Sequence, residues 1–185
     1  MVHLAPYLIA GGIRLLGNWL NKPSHHPSTE PPPTPPPEPA SGIAQLAHSL
    51  APQPGIRLDR IKNNQCAFFV AQHEGVSYRV MFLLIGDNCL LSVFGNILFP
   101  AGCVPPGVRK QISDMNANVG EEVFNTLDVH GGTRITVDGG GAISASEVTP
   151  DRFATAVHQM TRTLASLEDA LVRQGYHPRE VGRCS

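Results

Sequence analysis

The sequence predicts an α+β fold: an antiparallel sheet of five or six strands with helices packed on one face. Three features of the 185-residue chain indicate it. Short strand-like runs follow one another with only tight turns between them, and parallel strands would need long crossovers instead. Two short helical patterns flank the first strand runs, and a long one follows the last. Because nine of the 17 prolines lie between Pro23 and Pro39, the folded part is expected to begin near Gly42.

The folded part opens with a short helix and four strands. Residues 43–50 have a helical pattern that Pro52 ends. Turns at Glu74-Gly75 and Gly86-Asp87-Asn88 then separate apolar runs. The run over residues 76–85 alternates, with its even-numbered apolar residues on one face. The predicted strands cover residues 56–63, 65–73, 76–85 and 89–99.

A second helix and further strands follow. Val108, Ile112 and Met115 are spaced by four and three residues, which predicts a helix from about Pro106 to Asn116. The triple glycine at 139–141 precedes another strand-like run and has no lysine nearby. We therefore interpret it as a hairpin turn and not as a phosphate-binding loop. The predicted strands cover residues 122–129, 133–138 and 142–148.

The final helix is the clearest element of the chain. Thr149 is its predicted cap, Pro150 occupies its first turn and Gly175 stops it. Apolar residues recur every three or four positions along it and form a stripe. Such a stripe either covers the sheet of the same domain or binds a partner, and an α+β domain favours the first alternative. The stripe consists of Phe153, Val157, Met160, Leu164, Leu167 and Leu171.

Residues 1–20 form an amphipathic segment. Leu8, Ile13, Leu16 and Trp19 belong to an apolar half of the helical circumference, opposite Tyr7, Arg14 and Asn18. The segment is too short and too often interrupted by polar residues for a convincing membrane span, and it lacks the features of a signal peptide. Two interpretations remain. The segment docks on its own domain or on a sister subunit or is loosely ordered, or it lies in a membrane surface with Trp19 near the headgroups.

Four regions follow from the composition. Residues 1–20 are the amphipathic helix, and residues 21–41 are a Pro-rich disordered linker whose two proline triplets favour an extended spacer. Residues 42–174 are the α+β domain, and residues 175–185 are a C-terminal tail.

Charge and cysteine usage exclude several classes of function. The net charge of −1 gives no electrostatic footprint for nucleic acid. The four cysteines lack the spacing of a metal site, and we interpret them as buried or incidental thiols of a reducing cytosol. No nucleophile elbow, catalytic pair or metal motif stands out, so no catalytic, cofactor or metal residues are predicted.

The order helix, three-strand meander, helix, two or three strands, long helix resembles the YbjN family, whose fold is like that of type III secretion chaperones. The segment Ile112-Ser113-Asp114-Met115-Asn116-Ala117-Asn118 is similar to the family's signature at the end of its middle helix. Thr149-Pro150-Asp151-Arg152-Phe153 resembles its entry into the last helix, and Gly75-Val76-Ser77-Tyr78-Arg79-Val80 its second strand. The resemblance covers residues 43–173. It implies small, non-catalytic cytoplasmic proteins, often dimeric, and the related chaperones hold an extended substrate.

These observations predict a non-catalytic module that binds a protein or peptide, as a chaperone or a regulator. It would recognise its partner at a sheet edge or in a groove. We expect a cytoplasmic protein and a homodimer, with possible peripheral membrane contact through residues 1–20. A membrane-tethered adaptor and an enzyme of unknown reaction are the alternatives. The predicted partner-binding residues are Leu8, Ile13, Leu16, Trp19, Val157, Leu164 and Leu171.

Overall fold

The computed structural model describes residues 42–118, 122–139 and 143–177, and over these the chain has the predicted α+β architecture. Six strands form one antiparallel sheet in the order β1-β2-β3-β4-β6-β5, and a short β7 pairs with β4. The strands are β1 (Ile56–Asn63), β2 (Cys66–His73), β3 (Val76–Ile85), β4 (Asn88–Phe99), β5 (Glu122–Val129), β6 (Gly132–Gly139) and β7 (Ile143–Ser144). The helices are α1 (Gly42–Leu50), α2 (Pro106–Asn118) and α3 (Pro150–Arg173).

Tight turns set the register of the first four strands, which form a meander. Between β2 and β3 a two-residue turn joins His73 to Val76, and both of its residues have positive φ, 49° at Glu74 and 81° at Gly75. Turns of this kind match the twist of the strands that they join. After α2 the chain returns to pair β6 with β4, which leaves β5 at the edge of the sheet.

All three helices contribute to one apolar core on one face of the sheet, which we call the first face. The final helix has the predicted ends, since the Thr149 hydroxyl accepts a hydrogen bond from the Arg152 backbone N–H and Pro150 opens the first turn. Its stripe packs inward, with the Phe153 ring 4.9 Å from that of Phe69 on β2 and 5.8 Å from that of Phe82 on β3. The intramolecular interpretation of the stripe is therefore confirmed.

A buried carboxylate of α3 fixes a bulge in β4. Against β6, the register of β4 shifts between Phe94 and Leu98. Glu168, only 5 % exposed, accepts hydrogen bonds from the backbone N–H groups of Asn96 and Ile97 inside this bulge. A Cβ atom on Gly95 would lie 2.8 Å from the Glu168 Oε1 atom, so the close approach requires glycine.

The predicted strand over residues 142–148 is wrong. Only Ile143–Ser144 is extended, and a 3-10 helix, Ala145–Glu147, follows it. The two residues pair with Asn88 and Cys89 of β4 and not with β6, so the predicted glycine hairpin is wrong as well. Beyond Ser144 the pairing runs into the turn before β4: the Ala145 N–H still donates to the Asp87 carbonyl at 2.7 Å, but β4 itself begins at Asn88.

Smaller differences concern element ends and the meander. The second helix continues to Asn118, two residues beyond its predicted end, and the meander before it has four strands, one more than the resemblance implies. The predictions for residues 1–41 and 178–185 lie outside the described residues, as do those for Gly140 and Gly141.

Candidate binding face

The face of the sheet opposite the helices, which we call the second face, carries an apolar cluster of its own. Its members come from four strands and lie next to one another across the register: Cys66 faces Leu83, and Phe68 faces Met81. Each is no more than 8 % exposed. The second-face cluster consists of Cys66, Phe68, Met81, Leu83, Phe94 and Leu127.

Within the described residues, no helix contributes a side chain to the second-face cluster. The buried side chains of α1, α2 and α3 all belong to the core on the first face. Antiparallel sheets with one solvated face usually alternate apolar and polar side chains. Both β2 and β3 instead carry buried apolar residues on both faces, which is typical of strands covered on both sides.

Accessible apolar side chains continue the second-face cluster toward its margin. Leu90 and Val129 pack against it and are half-buried. Ile85 follows Met81 and Leu83 on the same side of β3 and is 48 % exposed. The second face thus combines a buried centre with an apolar border that a partner can touch.

Arginines surround the cluster and make this face basic. By strand alternation Arg57, Arg60, Arg79 and Arg134 lie on the second face, and the first three are exposed. The Arg60 guanidinium lies 5.0 Å above the Phe68 ring, a cation–π contact. Burial first, and then the charge of Arg79, lower the pKa of Arg134. The charges of Arg79 and Arg134 are therefore close enough to act on each other.

One carboxylate, Asp138, is buried in a polar group beside the cluster. Asn125 donates a 2.7 Å hydrogen bond from its Nδ2 atom to the Asp138 Oδ2 atom, and Ser92 and Thr136 also hydrogen-bond to this carboxylate. Burial raises the pKa of Asp138 above its ordinary value, and the three hydrogen bonds offset part of that rise. The hydrogen-bond partners of Asp138 are neutral side chains. No opposite charge among them offsets the free-energy cost of burying its ionised carboxylate.

The first face has a small cavity of about 70 Å³ that is almost wholly apolar. It lies between β4, β7 and the start of α3, and Cys89, Phe82 and Met160 line it. Burial raises the pKa of the Cys89 thiol to about 11, so the thiol is protonated at neutral pH and is a poor nucleophile. The cavity can accept a small apolar group, and Glu147 and Arg152 are the charged residues of its described lining.

The two edges of the sheet are poor sites for an added strand. At β5, the side chain of Asn116 bonds both backbone groups of Phe124, donating to its carbonyl at 2.8 Å and accepting from its N–H at 2.7 Å. At the other edge, the register of β1 shifts between Leu58 and Arg60 and again between Ile61 and Asn63. Bulges and occupied backbone groups are devices that block edge pairing.

The structure separates the predicted partner-binding residues into two groups. Val157, Leu164 and Leu171 are fully buried against the first face, so a partner could reach them only if α3 left the sheet. Leu8, Ile13, Leu16 and Trp19 lie outside the described residues.

Sequence reasoning missed the second face. The alternation of β3 placed its even-numbered residues on a core face, and this left Met81, Leu83 and Ile85 without a role. Those three odd-numbered residues, together with Cys66 and Phe68 on β2, were the available signal. A strand that is apolar at both odd and even positions predicts cover on both faces.

Comparison with protein-family profiles and with curated proteins gives no match for this chain. The resemblance to the YbjN family therefore stays a prediction. Over the described residues, no helix is long and apolar enough to cross a membrane, and no group of three or more His, Cys, Asp or Glu residues could hold a metal ion.

Proposed function

We propose that this chain is a non-catalytic module that binds a protein or peptide on the second face of its sheet, as a chaperone-like or regulatory protein. One observation carries the proposal. The strands at the centre of the sheet are apolar on both faces, while the described helices cover only the first. The resemblance to the YbjN family implies a function of the same kind.

The chemistry of the second face defines the class of partner. The apolar border, with the exposed Ile85 and the half-buried Leu90 and Val129, favours a segment with apolar side chains along one side. The exposed Arg57, Arg60 and Arg79 favour acidic side chains flanking that apolar row, because complementary charge steers association and disfavours basic partners. We therefore expect an amphipathic, acidic protein segment.

The size of the face suits such a partner. Six strands about 4.8 Å apart, each about eight residues long, give a face of roughly 600 Å² before twist is considered. A specific interface of ordinary size buries about 800 Å² on each partner. The occupied edge at Phe124 and the bulged edge of β1 support recognition by the face over strand addition.

The test compares two matched variants of the full chain. Ile85 on the second face and Ile143 on β7 are 48 % and 45 % exposed, so Ile85→Asp and Ile143→Asp make the same change at similar exposure. Proteins that wild type retains from a cell extract are purified and titrated against all three chains.

We expect Ile85→Asp to weaken binding of the purified partner by about tenfold or more, or about 1.4 kcal/mol, because a charge would enter an apolar contact. We expect Ile143→Asp to bind as wild type does. Equal binding of the partner by both variants would contradict recognition by the second face.

A further inference from the structure

The second face carries a buried apolar cluster that no described helix covers. The second-face cluster contains side chains from β2, β3, β4 and β5 only. Its apolar border is accessible, because Ile85 is 48 % exposed and Leu90 and Val129 are half-buried. The candidate covers are a segment of the same chain, a second copy of the chain and a separate partner.

The chain itself supplies an apolar segment of suitable size. Residues 1–20 carry Leu8, Ile13, Leu16 and Trp19 along one half of their predicted helix. A helix of that length extends about 30 Å, enough to cross six strands that together are about 24 Å wide. We infer that residues 1–20 dock intramolecularly on the second face.

The linker allows this docking. The described part of the chain begins at Gly42, in α1, which packs against β1 and β2 at one side of the sheet. Residues 21–41 extend about 65 Å in polyproline geometry, whereas a domain of this size has a radius of gyration of only about 15 Å. The linker can therefore pass around the edge at β1 and place residues 1–20 on the opposite face.

Charge and effective concentration favour the chain's own segment over a second copy. Two second faces packed together would bring the exposed Arg57, Arg60 and Arg79 of one copy near those of the other. Residues 1–20 carry Arg14 as their only Lys, Arg, Asp or Glu, and it lies on their polar side. A tethered segment also has an effective concentration on the order of millimolar, far above that of a second chain in dilute solution.

Docking of residues 1–20 would regulate the proposed function. The segment would cover the apolar centre and, lacking acidic residues, would leave the arginines of the second face without anionic partners. An acidic amphipathic partner binds both parts of the face and so displaces the segment. This step rests on the proposed function; the docking itself does not.

Trp19 reports the docking directly because it is the only tryptophan of the chain. In the full-length protein we expect Trp19 emission typical of a buried indole, with acrylamide quenching severalfold weaker than that of free tryptophan and independent of protein concentration. We expect Ile85→Asp to strengthen quenching severalfold and Ile143→Asp to leave it unchanged. Leu16→Asp should also expose Trp19, whereas Asn18→Asp adds the same charge on the polar side of the segment and should not.

Several outcomes would overturn the inference. Strong quenching of Trp19 in wild type would show that the segment is undocked, and protection that disappears on dilution would identify a second copy as the cover. Protection seen only with vesicles of phosphatidylcholine and phosphatidylserine would identify a membrane. Protection unchanged by Ile85→Asp would place the segment elsewhere. In each case, partner binding that is sensitive to Ile85→Asp would still support the proposed function.

Discussion

The two faces of the sheet use the same strands but differ in what covers them. On β3, Tyr78, Val80 and Phe82 face the helices, while Met81 and Leu83 face the other way. The helices on the first face are joined to the sheet by short connections and contribute side chains to its core. The second face has equally buried side chains, and within the described part of the chain only strands contribute to them. The first face therefore has a permanent cover, whereas the exchangeable cover of the second face is our inference.

Two of the buried carboxylates, Glu168 on the first face and Asp138 on the second, are held differently. Glu168 on the first face accepts hydrogen bonds from two backbone N–H groups and one from the Tyr78 hydroxyl. Asp138 on the second face is held by the side chains of Ser92, Asn125 and Thr136. Burial raises the pKa of both carboxyls. Glu168 fixes backbone geometry, whereas the described partners of Asp138 are side chains.

The largest expected effect tests the permanent cover. Leu164 is fully buried in the middle of the stripe on α3, and Leu164→Ala should lower the free energy of unfolding by about 2–5 kcal/mol through lost burial and a cavity. Urea denaturation followed by circular dichroism measures the change. Val172→Ala, on an exposed position of the same helix, should cost less than about 0.5 kcal/mol. A loss below about 0.5 kcal/mol for Leu164→Ala would contradict the packing of α3.

The next effect tests the bulge that Glu168 fixes. Glu168→Ala removes the acceptor of the Asn96 and Ile97 N–H groups, and a buried donor without a partner costs about 1–3 kcal/mol. The same denaturation experiment measures it, with the exposed Asp169→Ala as the control. If the two variants were equally stable, Glu168 would have no structural role in the bulge.

A third, smaller effect concerns pH and Asp138. Its raised pKa means that, above the ordinary value near 3.8, the folded chain retains a proton that the unfolded chain has lost. The stability from this group is therefore greatest on the acidic side and is lost as the pH rises through the folded-state pKa. Asp138→Asn should flatten part of the decline in stability with rising pH above about pH 4, by at most about 1.4 kcal/mol per pH unit. A variant with the full wild-type slope would show that Asp138 is not the titrating group.

The first face could be predicted from the sequence because its signals are local. Thr149, Pro150 and Gly175 define α3 by themselves, and the spacing of its stripe indicates which side is buried. The bulge in β4 could not be predicted, because Gly95 and Glu168 are 73 positions apart and only the fold brings them together. The length of β7 depends in the same way on where β4 begins.

The second face was predictable in part. Met81 and Leu83 signal a second apolar side of β3, but a continuous apolar run does not say what covers it. The basic character of the second face could not be predicted from the sequence either. Arg57, Arg79 and Arg134 are far apart in sequence and balanced by acids elsewhere, so the net charge of −1 conceals a basic face that only the strand order assembles.

Cys66 and Cys89 form a matched pair for testing the difference between the faces. Both thiols are buried, and burial raises the pKa of each to about 11, so a similar fraction of each is thiolate. Cys66 belongs to the second-face cluster and Cys89 to the core on the first face. The exposed Cys103 provides an internal reference for rapid reaction.

The most direct test is the rate at which a small thiol reagent labels each cysteine of the native full-length chain, resolved by peptide mass spectrometry. The account predicts slow labelling of Cys66 and Cys89 in wild type and in Asn18→Asp. In Leu16→Asp it predicts severalfold faster labelling of Cys66, with Cys89 unchanged, because the charge would release the cover of the second face alone. Labelling of Cys66 that is as slow in Leu16→Asp as in wild type would contradict an exchangeable cover formed by residues 1–20.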